Sequence, residues 1–301
     1  MNVGYDPFWN TIHESAHRRY PLWAQSLGRF GIPYTTEESS VCFLDVTQAE
    51  GASRDTIMQY LSKAVILDGD AAKCLCERGY GRYLGVNVFE DMAEEGTFGF
   101  DLGAREVVKE AFLLPGEEAE MPIAHAWCPN GNGKGMRLEK DNSGCEVITE
   151  IYNFKKEYLC PGMTRFKNEL GGTVIVMGLT LEGNQSQALY NYTRQNLLRR
   201  FVQECDDQYV MVQDTPSLFL ISNEAEMKGD MLGMVTLLNL SVDALESVKL
   251  HFPQKWNQVR QVSVLNACGE WEEVSFEKMG TVISICQRLE YCEPVYLMIE
   301  G

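Results

Sequence analysis

No stretch of this sequence approaches the roughly 18 consecutive apolar residues of a membrane-spanning helix. Its start, MNVGYDPFWN, has neither the basic n-region nor the apolar h-region of a secretory signal. A cytoplasmic location without membrane partners is therefore expected. Basic residues are also few: 26 Lys and Arg stand against 43 Asp and Glu, for a formal net charge of −17. That imbalance repels phosphate backbones and anionic headgroups, so nucleic acid is not an expected partner, and neutral or cationic ones fit better. Cysteine is not scarce, but its pairing signals are. The 10 cysteines scatter through apolar runs without a repeated spacing, and Cys74-Leu-Cys76 lacks the two-residue gap of usual zinc and redox pairs. Reduced, buried thiols are expected rather than a disulfide framework. Internal repeats and low-complexity linkers are missing too, and with 45% apolar and 23% charged residues disorder is not the default reading of the 301-residue chain. Two domains are expected at this length.

What is present begins with a helical segment in which Trp9, Ile12 and Ala16 share a face until Pro21 interrupts it. Val41 to Val46 reads as a short strand, and Ser53 as the cap of a helix reaching about Ser62. Ala64 to Leu67 reads as a buried strand. Asp68-Gly69-Asp70 then turns the chain, with Asp70 placed to cap a helix through Arg78 and Gly79 to supply a left-handed end. Strand, tight turn and helix in that order are the grammar of an α/β sheet. From Asn87 to Glu169 the pattern changes to short apolar or alternating pieces between turns rich in Gly and Asn, expected as a β-rich insertion. Gly171 to Leu181 is a continuous apolar run feeding an amphipathic helix that ends near Cys205. Beyond it, eight strand-like runs from Tyr209 to Ile299 predict a small antiparallel β-sandwich.

The candidate chemistry is sparse. His13-Glu14-Ser15-Ala16-His17 matches H-E-x-x-H, where two histidines four apart on a helix hold zinc and the Glu activates a metal-bound water. Arg18, Arg19 and Pro21 follow, however, and Tyr20 and Trp23 stand where the extended metzincin pattern has Gly and His, so a solvated helix face competes with a zinc site. Gly131-Asn132-Gly133-Lys134-Gly135 lacks the Ser or Thr after the Lys of a phosphate loop and reads as a hairpin turn. Trp127, Trp256 and Trp271 are candidates for stacking on sugar rings, with core packing as the alternative for each. Trp127, beside His125 and the loop at Asn130, is the best placed to face a carbohydrate ligand. Adjacent carboxylates such as Glu94-Glu95, Glu117-Glu118 and Glu272-Glu273 read as solvated faces and not as a glycosidase pair.

Two blocks carry a family resemblance: LSKAVILDGDAAKCLCERGYGRYLGV (Leu61 to Val86) and KNELGGTVIVMG with the helix that begins at Ser186. Both resemble the amidotransferase-like trimerisation domain of family forty-two β-galactosidases and related glycoside hydrolase-like proteins. The resemblance implies a flavodoxin-like or class I amidotransferase-like α/β domain over residues 1–205, including the N-terminal helical segment and the insertion 87–169, followed by a β-sandwich over 206–301. Glutamine amidotransferases carry a Cys nucleophile on a strand-to-helix elbow and a downstream His-x-Glu pair. Here the matching elbow is Asp68-Gly69-Asp70, and neither His125 nor His251 sits in such a pair. The expected function is a non-catalytic accessory and oligomerisation module of a β-galactosidase-related protein, without a cofactor, partnered by copies of itself or a glycosidase catalytic domain or subunit. Zinc metallohydrolase activity through His13, Glu14 and His17 is the alternative.

Overall fold

The computed structural model describes residues 3–4, 22–90, 104–123, 135–181, 191–215, 217–227, 230–256 and 258–301. The chain forms two compact units: one of Tyr5–Trp23 with Ser40–Arg194, the other of Met1–Gly4, Ala24–Ser39 and Gln195–Gly301. Strands β1 (Val3–Gly4) and β2 (Tyr34–Thr35) pair in parallel in the latter, and helix α1 (Leu22–Arg29) lies between them in the chain.

In the unit built on residues 40–194, β3 (Val41–Leu44) ends at Asp45. The Asp45 carboxylate accepts from Thr47 and Gln48 N–H while the Gln48 side chain accepts from Asp45 N–H, a capping box that starts α2 (Val46–Gly51). Ser53 caps α3 (Arg54–Leu61), accepting from Thr56 N–H at 3.2 Å. Then β4 (Ala64–Leu67) runs parallel to β3 and leads into α4 (Gly69–Glu77). The cap of α4 is Asp68 and not the expected Asp70: its Oδ1 accepts from Ala71 N–H at 3.0 Å, which places Asp70 inside the first turn. Gly79, at φ +86°, does supply the left-handed residue past the helix end.

The α/β reading fails beyond this point. Among the described residues 42% are strand and 22% helix, so the fold is mostly β rather than flavodoxin-like or amidotransferase-like. After α4 the chain does not cross over to a further parallel strand. Instead β5 (Val86–Glu90) leaves the sheet and pairs with β8 (Met136–Lys140) in a separate antiparallel ribbon. The pieces expected as an insertion belong to the main sheet: β6 (Arg105–Val108), β7 (Glu120–Pro122), β9 (Glu146–Tyr152) and β10 (Tyr158–Lys167) continue it antiparallel from β11 (Thr173–Met177), giving the order β3-β4-β11-β10-β9-β6-β7. A short turn at Gly171, φ +86°, makes β10 and β11 a hairpin, and antiparallel strands need no crossover helix. Leu44, Leu67 and Val176 pack with Ala72 and Leu75 of α4 and Leu138 of the ribbon in one core.

Helix α5 (Tyr192–Cys205) follows, and the division between the units falls within it. In the other unit, Arg199 is buried among acceptors: it donates to the carbonyls of Phe30 and Thr215, both at 2.7 Å, and to Asn196 Oδ1 at 2.8 Å. The strands there are β12 (Met211–Gln213), β13 (Leu218–Met227), β14 (Asp230–Asn239), β15 (Val248–His251), β16 (Gln261–Leu265), β17 (Trp271–Glu273), β18 (Phe276–Met279), β19 (Val282–Ile285) and β20 (Pro294–Glu300). They form two antiparallel sheets, β12-β15-β19-β18 and β13-β14-β20-β16-β17. Leu250, Ile283 and Ile285 of the first share a core with Leu220, Leu237, Leu297 and Ile299 of the second. Among the described residues no helix is long and apolar enough to cross a membrane.

Candidate functional site

The β6, β7 and β9 end of the main sheet shows how alternation builds a face. Inward go Glu106, Met121 and Ile151, all buried; outward go Arg105, Val107, Glu120, Glu150 and Tyr152. The inward Glu106 is a carboxylate in a core, and its partners explain why it is tolerated. Arg194 donates to Oε2 through Nε at 3.0 Å and Nη2 at 2.7 Å, while Thr149 Oγ1 donates to Oε1. Both charged side chains are almost fully buried, at 2% and 0% exposure. Gly162 makes the room: a Cβ there would stand 2.6 Å from Thr149 Oγ1 and 2.9 Å from Glu106 Oε1.

On the outward face, the turn after β9 is organised by Asn153. Its Oδ1 accepts from the N–H groups of Lys155 and Glu157, each at 2.9 Å, and its Nδ2 donates to Glu157 Oε2 at 2.8 Å. Lys156 takes the left-handed conformation, φ +64°. This turn holds Phe154 out at 65% exposure beside a solvent-open depression of about 400 Å³, bordered by Arg105, Glu120, Tyr152 and Lys156. Tyr152 donates its hydroxyl to Glu150 Oε2 at 2.7 Å, and that hydrogen bond, with some desolvation, raises the phenol pKa. The ring of Tyr158 meets that of Tyr152 edge-on, 5.9 Å between centroids. Burial raises the Tyr158 pKa as well, so both phenols stay protonated donors at neutral pH. An Arg fork, the Glu120 carboxylate, the Tyr152 hydroxyl and the ring faces of Tyr152 and Phe154 around one depression can hydrogen-bond the hydroxyls of a sugar and cover its apolar face.

His13, Glu14 and His17 of the zinc pattern lie outside the described residues, as do His125, Trp127 and Asn130. Strand β7, which carries Glu120 to the depression, directly precedes that second segment. Among the described residues no group of three or more His, Cys, Asp or Glu could hold a metal ion. The elbow expected from the amidotransferase comparison holds Asp68, and Cys74 and Cys76 sit within α4. Trp256 is core at 1% exposure, whereas Trp271 is 40% exposed. The described cysteines are free thiols, with Cys42, Cys145 and Cys160 buried but Cys268, Cys286 and Cys292 exposed, against the expectation of burial. The sequence signal for the depression was an aromatic in a hydrophilic turn, Asn153-Phe154-Lys155-Lys156, where core packing cannot explain it.

No family model and no curated protein matches the chain. A solved structure does: α-L-fucosidase isoenzyme 2 from Paenibacillus thiaminolyticus matches 93% of this chain at a TM-score of 0.56 and 12% sequence identity. The fold is glycoside hydrolase-like. The match takes in 44% of the fucosidase chain, less than half its length, and at this identity the likeness speaks for fold alone.

Proposed function

We propose that this chain is a non-catalytic accessory module of a glycoside hydrolase-like protein, which holds carbohydrate in the depression beside Tyr152 and Phe154 and works with a catalytic domain or subunit or with copies of itself. The observation that carries the reading is that depression: the rings of Tyr152 and Phe154 with Arg105 and the Glu120 carboxylate arranged around one open concavity, on a glycoside hydrolase-like fold. Titration of the chain with methyl α-L-fucoside, methyl β-D-galactoside and short oligosaccharides, followed by NMR, is expected to perturb Tyr152, Phe154 and Arg105. Phe154→Ala, a change at a turn tip that leaves the core intact, should weaken binding by about 1–3 kcal/mol. In parallel, the p-nitrophenyl glycosides of fucose and galactose should not be turned over. Turnover abolished by Glu120→Gln, or sugar binding that ignores Phe154→Ala, would overturn the proposal.

A further inference from the structure

The outer face of the sheet β13-β14-β20-β16-β17 is set by which residues point into the sandwich core. Leu220, Val235, Leu237, Val262, Leu297 and Ile299 are buried inward, so their strand neighbours face out. The pairing aligns those neighbours across the sheet: Ile221 opposes Thr236, Thr236 opposes Tyr296, and Leu265 opposes Trp271. Because Val264 opposes Leu297, Leu265 falls beside Tyr296, which closes one continuous row, Ile221-Thr236-Tyr296-Leu265-Trp271. Three of the five are far more exposed than large hydrophobics in a core: Ile221 47%, Tyr296 39% and Trp271 40%, with Met234 of the next row at 43%. With strands about 4.8 Å apart, the row is about 19 Å long and its two aromatic rings stand about 10 Å apart. No Lys or Arg stands in this row or the next (Asn223-Met234-Met298-Ser263-Glu273).

We infer that this row is a binding platform for an extended neutral polysaccharide, whose pyranose rings stack on Tyr296 and Trp271 and bridge Leu265 between them. Charge and shape select this occupant. Nucleobases stack on the same rings, but their phosphates meet no cation here and a chain of net charge −17. A second copy of the chain buries about 800 Å² per partner, so such an interface would have to extend well beyond a row about 19 Å long. A neutral glycan chain fits the length and narrowness of the row, and the Thr236 and Tyr296 hydroxyls can reach its hydroxyls. The inference extends the carbohydrate-associated reading from a short sugar in the depression to a polymer on a different surface, and the two fail separately.

The test is depletion of the full chain from solution by microcrystalline cellulose, chitin and insoluble mannan. Binding to at least one is expected, and Trp271→Ala and Tyr296→Ser should each lower the association constant roughly tenfold or more, with Tyr296→Phe close to wild type. Thr236→Glu keeps both rings but puts a charge in the row and should abolish binding. It decides the matter even if a ring variant fails to fold. Phe154→Ala should leave polymer binding unchanged; a loss would assign the polymer to the depression and overturn the inference while sparing the proposed function. Absence of binding to all three polymers, or binding indifferent to the row variants, also overturns it. So does a dimer that Trp271→Ala dissociates, because the occupant of the face would then be a second copy.

Discussion

Glu106 shows what one misplaced charge costs in this molecule. Its Oε2 takes two hydrogen bonds from Arg194 in a fully desolvated setting, so removing the guanidinium strands a buried carboxylate. Arg194→Met is expected to lower stability by about 3–5 kcal/mol in urea unfolding, while Glu106→Leu together with Arg194→Met recovers most of the loss because no orphan charge remains. A double variant as unstable as the single one would show that the pair contributes more than charge neutralisation. Asp68 behaves differently. Burial raises its pKa well above the usual carboxylate range, the nearby Asp70 and Asp45 charges raise it further, and N–H donation from Ala71 and Leu181 is outweighed. A raised folded value means that the folded state binds the proton more tightly than the unfolded chain. The group's contribution to stability is thus fully present below the unfolded value of about 3.9 and is lost as pH climbs to the folded value. Carboxyl NMR titration should find Asp68 above the usual range, with Asp70→Asn moving it down; a midpoint at or below an ordinary aspartate sinks this account.

Among the elements, those written in local chemistry were readable and those depending on distant partners were not. Gly31 belongs to the second kind: its φ is +64°, and a Cβ would lie 2.2 Å from Val212 Cγ2 and 3.0 Å from the Leu218 carbonyl, neighbours far along the chain. Gly31→Ala is therefore expected to cost about 2 kcal/mol or more by denaturant unfolding, since left-handed strain and overpacking add. Ala64 to Leu67 matched its strand and Ser53 its cap, because an apolar run between turn residues and a hydroxyl before a helix act within a few positions. Trp271 to Phe276 read as one strand but is two: Trp271–Glu273 pairs with β16, while Phe276–Met279 pairs with β19 in the opposite sheet. Apolar residues on both sides make 271–276 look like one run, although their phase shifts at Glu272-Glu273 between Trp271 and Val274 with Phe276. The same blindness misread residues 87–169, where β6, β7, β9 and β10 are recognisable as strands but their membership of the main sheet depends on the β10–β11 hairpin. At the depression, Arg105, Glu120 and Tyr152 come from three strands, and no spacing along the chain announces that they meet.

At the scale of the whole molecule, the match to 44% of a fucosidase chain speaks for fold, and a partner for this chain belongs to the proposed function. Whether that partner includes further copies of itself is a question of charge against apolar contact. Each chain carries −17, so two chains approaching at low ionic strength repel over a Debye length of about 30 Å at 0.01 M salt, which shrinks to about 8 Å at 0.15 M. Association through apolar surface should therefore strengthen with added salt, the opposite of an assembly held by ion pairs. Sedimentation equilibrium at about 10 μM, where an interface with a micromolar Kd is populated, is expected to show a species larger than the 34.0 kDa monomer, with its share growing between low and physiological salt. A monomer at every salt concentration would remove self-association from the proposed function and leave a separate catalytic domain or subunit as the partner. An oligomer that dissolves on raising salt would instead place opposite charges at the contact, and the search for its surface would move to Arg and Lys clusters rather than apolar faces.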